Sequence, residues 1–258
     1  MPLPLKSRSG HFAPPTKIQY YGHDGTRILS AGRDRALRMF STVRDAQNYE
    51  FSQGHVAKKA KSRGVTEESL KLPIITEFAS GTFLSSYSTK FASFIFMMDM
   101  LILCFYDDVI IASAKDKEWA NVITCHMNDN GGRTWRAKNK AIGEHALLSS
   151  DKSANKVACI SACGNFGFIG SASGQIDMFN LQSGLHRKVY SGTDGHKKAI
   201  TGLATDVANR YLISGSVDRK IKVRLCFIYI FVYLQSIPKK KIIAVNLIHV
   251  NFPLKLYF

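Results

Sequence analysis

Gly170-Ser-Ala-Ser-Gly174 sets two hydroxyls between glycines, the composition of the strained turn on which hydrolases hold a serine nucleophile. Its central residue is Ala172, so the Gly-x-Ser-x-Gly pattern fails and the apex carries no hydroxyl. Cys159 and Cys163 have no second Cys or His pair at ligand spacing, which argues against a metal. With Cys104, Cys125 and Cys226 they read as reduced intracellular thiols. There is no phosphate loop and no Gly-x-Gly-x-x-Gly, and the histidines stand singly. These residues predict a non-enzyme with no cofactor, no metal and no small-molecule substrate. The chemistry the chain does offer is electrostatic. Lys58-Lys59-Ala60-Lys61-Ser62-Arg63 packs cations into a predicted surface loop, suited to salt-sensitive phosphate contacts or to a nuclear-import signal. A solvated loop is the plainer alternative.

The rest of the charge points the same way. The 258 residues carry a formal net charge of +16. The apolar segments 81–113 and 225–258, with one Lys and three Asp in the first and four Lys in the second, add little to it. A basic fold of this kind fits acidic partners, nucleic acid first, with a merely basic surface as the alternative. The N-terminal Met-Pro-Leu-Pro-Leu-Lys lacks the apolar core of a secretory signal, and no Asn-x-Ser/Thr occurs, so an intracellular setting is expected.

What must position these residues is a repeat. From Ala158 to Gly184 three short apolar-alternating runs lie between tight-turn residues, the rhythm of one β-propeller blade. A second copy opens at Gly195-His196, with strands from Ala199, Tyr211 and Lys220. Aligning the two copies sets Phe179 against Arg224, a period of 45 residues, within the roughly 40–45 of WD repeats. Another copy opens at Gly10-His11, with strands at 16–21, 27–31 and 36–40. A split copy opens at Gly54-His55, with strands at 74–78, 121–126 and 133–137. In such repeats a His, a hydroxyl, a turn Asp and a Trp hydrogen-bond across the blade. His11, His55 and His196, the turn residues Asp34 and Asp218, and Trp135 are the candidates here. Phe40 and Phe179 stand where Trp is usual, and Ser173 where Asp is usual. The expectation is an all-β WD-repeat propeller of about four blades, open because that many blades do not readily close a ring. A generic antiparallel sandwich is the bland alternative.

Two segments break the rhythm. The run from Phe91 to Tyr106 is apolar, nearly free of turn residues and inside a blade. A second run, 225–237, begins where the last copy should end in Trp-Asp. Both are short of the roughly 20 residues that span a bilayer, and Asp99 lies within the first. Neither alternates as a core strand would. Their Phe, Ile, Leu, Tyr, Asn and Lys content is what adenine- and thymine-rich triplets encode. They are therefore read as translated intron. This divides the chain into 1–80, one WD blade and the start of a second; 81–113, an insert; 114–224, the rest of the second blade and two more; and 225–258, a non-native tail.

Several strings go beyond a generic WD pattern. Ser9-Gly-His-Phe-Ala-Pro-Pro-Thr-Lys-Ile-Gln-Tyr-Tyr-Gly22, Lys71-Leu-Pro-Ile-Ile-Thr-Glu-Phe78, Trp119-Ala-Asn-Val-Ile-Thr-Cys-His126, Ile160-Ser-Ala-Cys-Gly-Asn-Phe166 and Phe179-Asn-Leu-Gln-Ser-Gly184 resemble the U3 small nucleolar RNA-associated protein 21 family. The resemblance covers about residues 6–80 and 114–223. It implies a WD-repeat scaffold of the small-subunit processome, in its UtpB subcomplex. Such a subunit would meet U3 small nucleolar RNA and pre-ribosomal RNA in the nucleolus and support 18S rRNA maturation. It also implies tandem propellers and a helical C-terminal domain, of which this chain carries only part. It supplies no catalytic residue and no individual RNA contact. The competing class is a propeller adaptor for a ubiquitin ligase or chromatin enzyme; a membrane anchor would depend on Phe91 to Tyr106 alone and is not expected. If 81–113 and 225–258 are intron, sequencing the transcript will join Ser80 to Ala114 and continue past Val223 with an aromatic-Asp pair. An abundant mRNA encoding both segments as written would contradict this.

Overall fold

A computed structural model describes residues 10–22, 25–81, 118–192, 195–206 and 209–226. Within them the alternating runs become four antiparallel sheets, each built from consecutive strands and none closed on itself. The first holds β1 (Pro15–Tyr21), β2 (Arg27–Gly32), β3 (Leu37–Ser41) and β4 (Tyr49–Glu50). The second holds β5 (Ile75–Ser80), β6 (Val122–His126), β7 (Gly131–Arg136) and β8 (Ala141–Leu148). The third holds β9 (Asn155–Ile160), β10 (Phe166–Ser171), β11 (Ile176–Asn180) and β12 (His186–Tyr190). The fourth holds β13 (Ile200–Thr205), β14 (Tyr211–Ser216) and β15 (Ile221–Leu225). These are the four expected blades in an open array. The outer strands β4, β8 and β12, which the sequence reading did not place, complete three of them.

Each core lies between sheets. Because successive side chains of a strand point to opposite faces, a central strand can feed two cores at once. Val122 packs with Leu29, Leu37 and Met39 of the first sheet and Phe51 just after it, while the next residue, Ile123, packs with Ile160 and Ile169 of the third and Leu181 just after β11. Phe168 and Ile169 divide in the same way. Phe168 joins Ile176, Met178 and Tyr190 against Ile200 and Leu212 of the fourth sheet. Gly132 shows how closely the second and third sheets approach, since a Cβ there would lie 2.5 Å from Ile169 Cδ1.

Among the described residues, the first and fourth sheets each present an exposed apolar face. Tyr211 pairs across the ladder with Leu225, and Ile213 with Val223, and all four are exposed. By the 45-residue period Ile213 and Val223 repeat Phe168 and Met178, which are buried against the next sheet. On the first sheet Ile18 and Tyr20 are likewise exposed.

The strand registers also sort the connections. Pro15 faces Gly32, Ile75 faces His126, Asn155 faces Ser171 and Ile200 faces Ser216. The turns from second to third strand, and the links from one sheet to the next, therefore share one end of the inner strands. The link from β4 to β5 carries two helices, α1 (Val56–Arg63) and α2 (Glu67–Leu70). The apolar run from Phe91 to Tyr106 lies outside the described residues. Among those described, no helix is long and apolar enough to cross a membrane.

Candidate nucleic-acid interface

The cationic run is a helix and not the expected loop. In α1 the residues Lys58, Lys59, Lys61 and Arg63 are all exposed, and of its eight residues only Ala60 is buried. Lys and Arg form helix well, and Lys61 and Arg63 stand in the last turn, where the helix dipole favours positive charge. Gly64, at φ 64°, ends the helix in the left-handed conformation and donates its N–H to the Ala60 carbonyl. The arm is tied back to the first sheet. Arg35 Nη1 donates to the Glu68 carbonyl at 2.8 Å. Gln53 donates to the Arg35 carbonyl at 2.6 Å and accepts the Leu72 N–H at 2.9 Å.

At the same end of the sheets, polar locks pin the turns. In the first sheet His11 Nδ1 donates to Asp34 at 2.9 Å and its Nε2 accepts from Ser30 Oγ at 2.9 Å. Of the two neutral tautomers, only the one with Nδ1–H serves both partners, and the proton is assigned on that ground. Asp34 also accepts the N–H groups of Phe12 and Ala36. The fourth sheet repeats the arrangement, with His196 Nδ1 to Asp218 at 2.9 Å and Ser214 Oγ to His196 Nε2 at 2.9 Å. Phe40 stacks edge-on to His11 with ring centroids 6.0 Å apart. At the equivalent place in the fourth sheet Arg224 donates instead to Ser214 Oγ at 3.3 Å.

The third sheet builds the lock with its polarity reversed. Asp151 stands four residues before its first strand, as His11 and His196 do before theirs, and Ser173 stands in the turn where the others have Asp. Ser173 Oγ donates to Asp151, which also accepts from Ser149, Ser153 and Ser171. The acceptor has moved from the turn to the link between sheets. Gly174, at φ 97°, lets this turn meet the His196 carbonyl; a Cβ would strike it. Phe179 packs edge-on to His186, which pairs with the buried Asp177 at 2.8 Å.

In the second sheet His55 is no lock, contrary to expectation. It is exposed and caps α1 at φ 59° without a side-chain hydrogen bond, because the chain after Gly54 turns into the helix. His126, on β6 itself, takes over. Trp135 Nε1 donates to Thr124 Oγ1 at 2.8 Å, Thr124 lies 2.9 Å from His126 Nε2, and His126 Nδ1 lies 2.7 Å from the Pro73 carbonyl. Donation running from Trp135 through Thr124 to a neutral His126 satisfies every member. His126, Asp151 and Asp177 were not singled out from sequence. The 45-residue period would have set Asp151 against His196 and Ser173 against Asp218. Nothing comparable marks His126, whose partner Pro73 lies 53 residues away.

Residues 98–230 match the family described as WDR36/Utp21 second beta-propeller domain. The chain belongs to the WDR36/Utp21 family. It is 37% identical over 221 residues to the U3 small nucleolar RNA-associated protein 21 homolog of Schizosaccharomyces pombe, covering 86% of this chain and 21% of that protein. It is 34% identical over 217 residues to U3 small nucleolar RNA-associated protein 21 of Saccharomyces cerevisiae, covering 84% and 20%. It is 31% identical over 224 residues to human WD repeat-containing protein 36, covering 84% and 22%. This chain of the WDR36/Utp21 family thus spans about a fifth of the length of the curated relatives it matches.

The locks give the fold an acid limb with two parts. Burial is the largest influence on His126 and lowers its pKa below the ordinary 6.5. The unfolded chain therefore takes up the proton first, and stability falls as pH drops below about 6.5. Burial would raise the pKa of Asp218, but the His196 hydrogen bond and the Lys197 and Lys220 N–H groups outweigh it and hold the pKa at about 2. Similar donors hold Asp151 below its ordinary 3.8. A carboxylate with a depressed folded pKa stabilises above its ordinary value, and that contribution is lost as pH falls through the folded value. Thermal midpoints measured from pH 8 to pH 2 should therefore decline in two stages, one below about 6.5 and one between about 4 and 2. His126→Gln should abolish the first stage and Asp218→Asn should shrink the second. A single transition unaffected by either change would refute the assignment.

Proposed function

We propose that this chain is part of a WD-repeat scaffold of the small-subunit processome. In this reading it belongs to the UtpB subcomplex, acts in the nucleolus on 18S rRNA processing, and works by binding protein and RNA rather than by catalysis. The observation that carries the reading is family membership: two of its relatives are named as U3 small nucleolar RNA-associated proteins. The excess of positive charge supports RNA as a direct partner. The exposed cations of α1, held out on an arm anchored by Arg35 and Gln53, supply phosphate contacts without covering a sheet.

The experiment is affinity recovery of the tagged chain from nucleated cells, with quantification of U3 RNA and of 18S precursors. Recovery of U3 RNA with other processome proteins is the expected outcome. A cullin or histone partner without U3 RNA would favour the ubiquitin-ligase or chromatin adaptor. Replacing Lys58, Lys59, Lys61 and Arg63 by Gln should reduce U3 recovery. It should also flatten the salt dependence of RNA affinity by up to roughly 0.7 per lost phosphate contact. Exposed charges contribute little to folding, so the thermal midpoint should stay near that of the parent. Unchanged recovery and an unchanged salt slope would make α1 a solvated arm.

A further inference from the structure

The positive charge outside α1 is not spread evenly. The turns from second to third strand and the links between sheets share one end of the array, as the strand registers require. At that end Arg33, Lys152, Lys197, Lys198, Arg219 and Lys220 are exposed, in addition to the cations of α1.

Four carboxylates of the same end are engaged by the protein, while Glu67 and Glu68 of α2 stay exposed and offset part of the charge. Asp34 and Asp218 are engaged by histidines and backbone N–H groups, Asp151 by serine hydroxyls, and Asp129 by Arg133 at 3.3 Å. Each accepts its hydrogen bonds from the protein, while the neighbouring Arg33, Lys152, Arg219 and Lys220 are exposed. The geometry is consistent along the row. Asp34 is followed by Arg35 and Asp218 by Arg219, both at φ 63°, the left-handed position of the same turn. At the opposite end the described exposed cations are Arg27, Arg44, Lys138, Lys140, Arg187 and Arg210. They are interleaved with Asp45, Glu118 and Asp206, and Lys140 lies over the Tyr49 ring at 4.6 Å.

We propose that the end of the array carrying α1, the turns from second to third strand and the links between sheets is an RNA-backbone surface. It would take single-stranded RNA through phosphate contacts running from α1 across the third and fourth blades to Lys220. This rests on the RNA-binding reading above and deepens it by assigning the face. Phosphate contacts of this kind fix orientation without reading sequence. The surface is therefore expected to bind RNA of different sequences alike and to be strongly salt-sensitive.

The test uses the full chain and a fluorescently labelled oligouridylate, with affinity measured by anisotropy across a salt series. One variant replaces Lys152, Lys197, Lys198, Arg219 and Lys220 by Gln, and a second replaces the four cations of α1. A third replaces Arg44, Lys138 and Arg210 at the opposite end. The first two should each weaken binding roughly tenfold or more near 0.1 M salt and flatten the salt slope by up to about 0.7 per lost contact. The third should bind as the parent does. If the five-residue variant does not fold, the sets Lys152, Lys197, Lys198 and Arg219, Lys220 are tested separately. If α1 alone matters, the face assignment is overturned and the RNA reading stands. If the opposite-end variant weakens binding equally, the contact is general charge attraction and the face assignment again fails. No binding by the parent chain would overturn the assignment together with direct RNA contact.

Discussion

Apolar packing between consecutive sheets is the constraint on which the rest of this structure depends. No sheet here has a core of its own. Val122 and Ile123 are adjacent in one strand yet fully buried in different cores, and Phe168 and Ile169 repeat the pattern one blade later. Burying such side chains is worth about 1.5–3 kcal/mol each, and only the neighbouring sheet supplies the cover. The same constraint explains the two ends. Ile213 and Val223 are built to the pattern of Phe168 and Met178 but meet solvent.

The polar locks are secondary to this packing and correspondingly variable. His11 with Asp34, His196 with Asp218, Asp151 with Ser173, and His126 with Thr124 and Trp135 are four solutions to one problem. Each holds a turn or link against the strands by satisfying buried donors and acceptors. Because a hydrogen bond is indifferent to which partner donates, the third sheet can invert the arrangement without changing its strands. The locks also bear on function. They engage the carboxylates of the turns and links in hydrogen bonds and leave Arg33, Lys152, Lys197, Lys198, Arg219 and Lys220 exposed, so the end of the array that carries the locks is also rich in exposed positive charge.

Much of the fold was legible in the sequence because blade geometry is written in period-2 alternation and turn residues. The inner three strands of each blade were found to within a few residues. The outer strands were not: Tyr49–Glu50 is only two residues long, and His186–Tyr190 is mostly exposed and carries three polar residues in five. His11, His196, Asp34 and Asp218 were legible because Gly-His and a turn Asp recur at fixed offsets. His55 misled for the same reason, since its Gly-His pair opens a helix. The basic run was legible as charge but not as helix, because it lies between the Gly54-His55 pair and the strand at 74–78, where a connecting loop was expected.

The most direct test of this account compares a residue in a core between sheets with one on an uncovered face. Ile169 is fully buried between the second and third sheets, and Val223 is 62% exposed on the fourth. Measured by denaturant unfolding of the full chain, Ile169→Ala should cost about 2–5 kcal/mol. Val223→Ala should stay within about 0.5 kcal/mol of the parent. Equal losses at the two positions would contradict an open array held together by its cores between sheets.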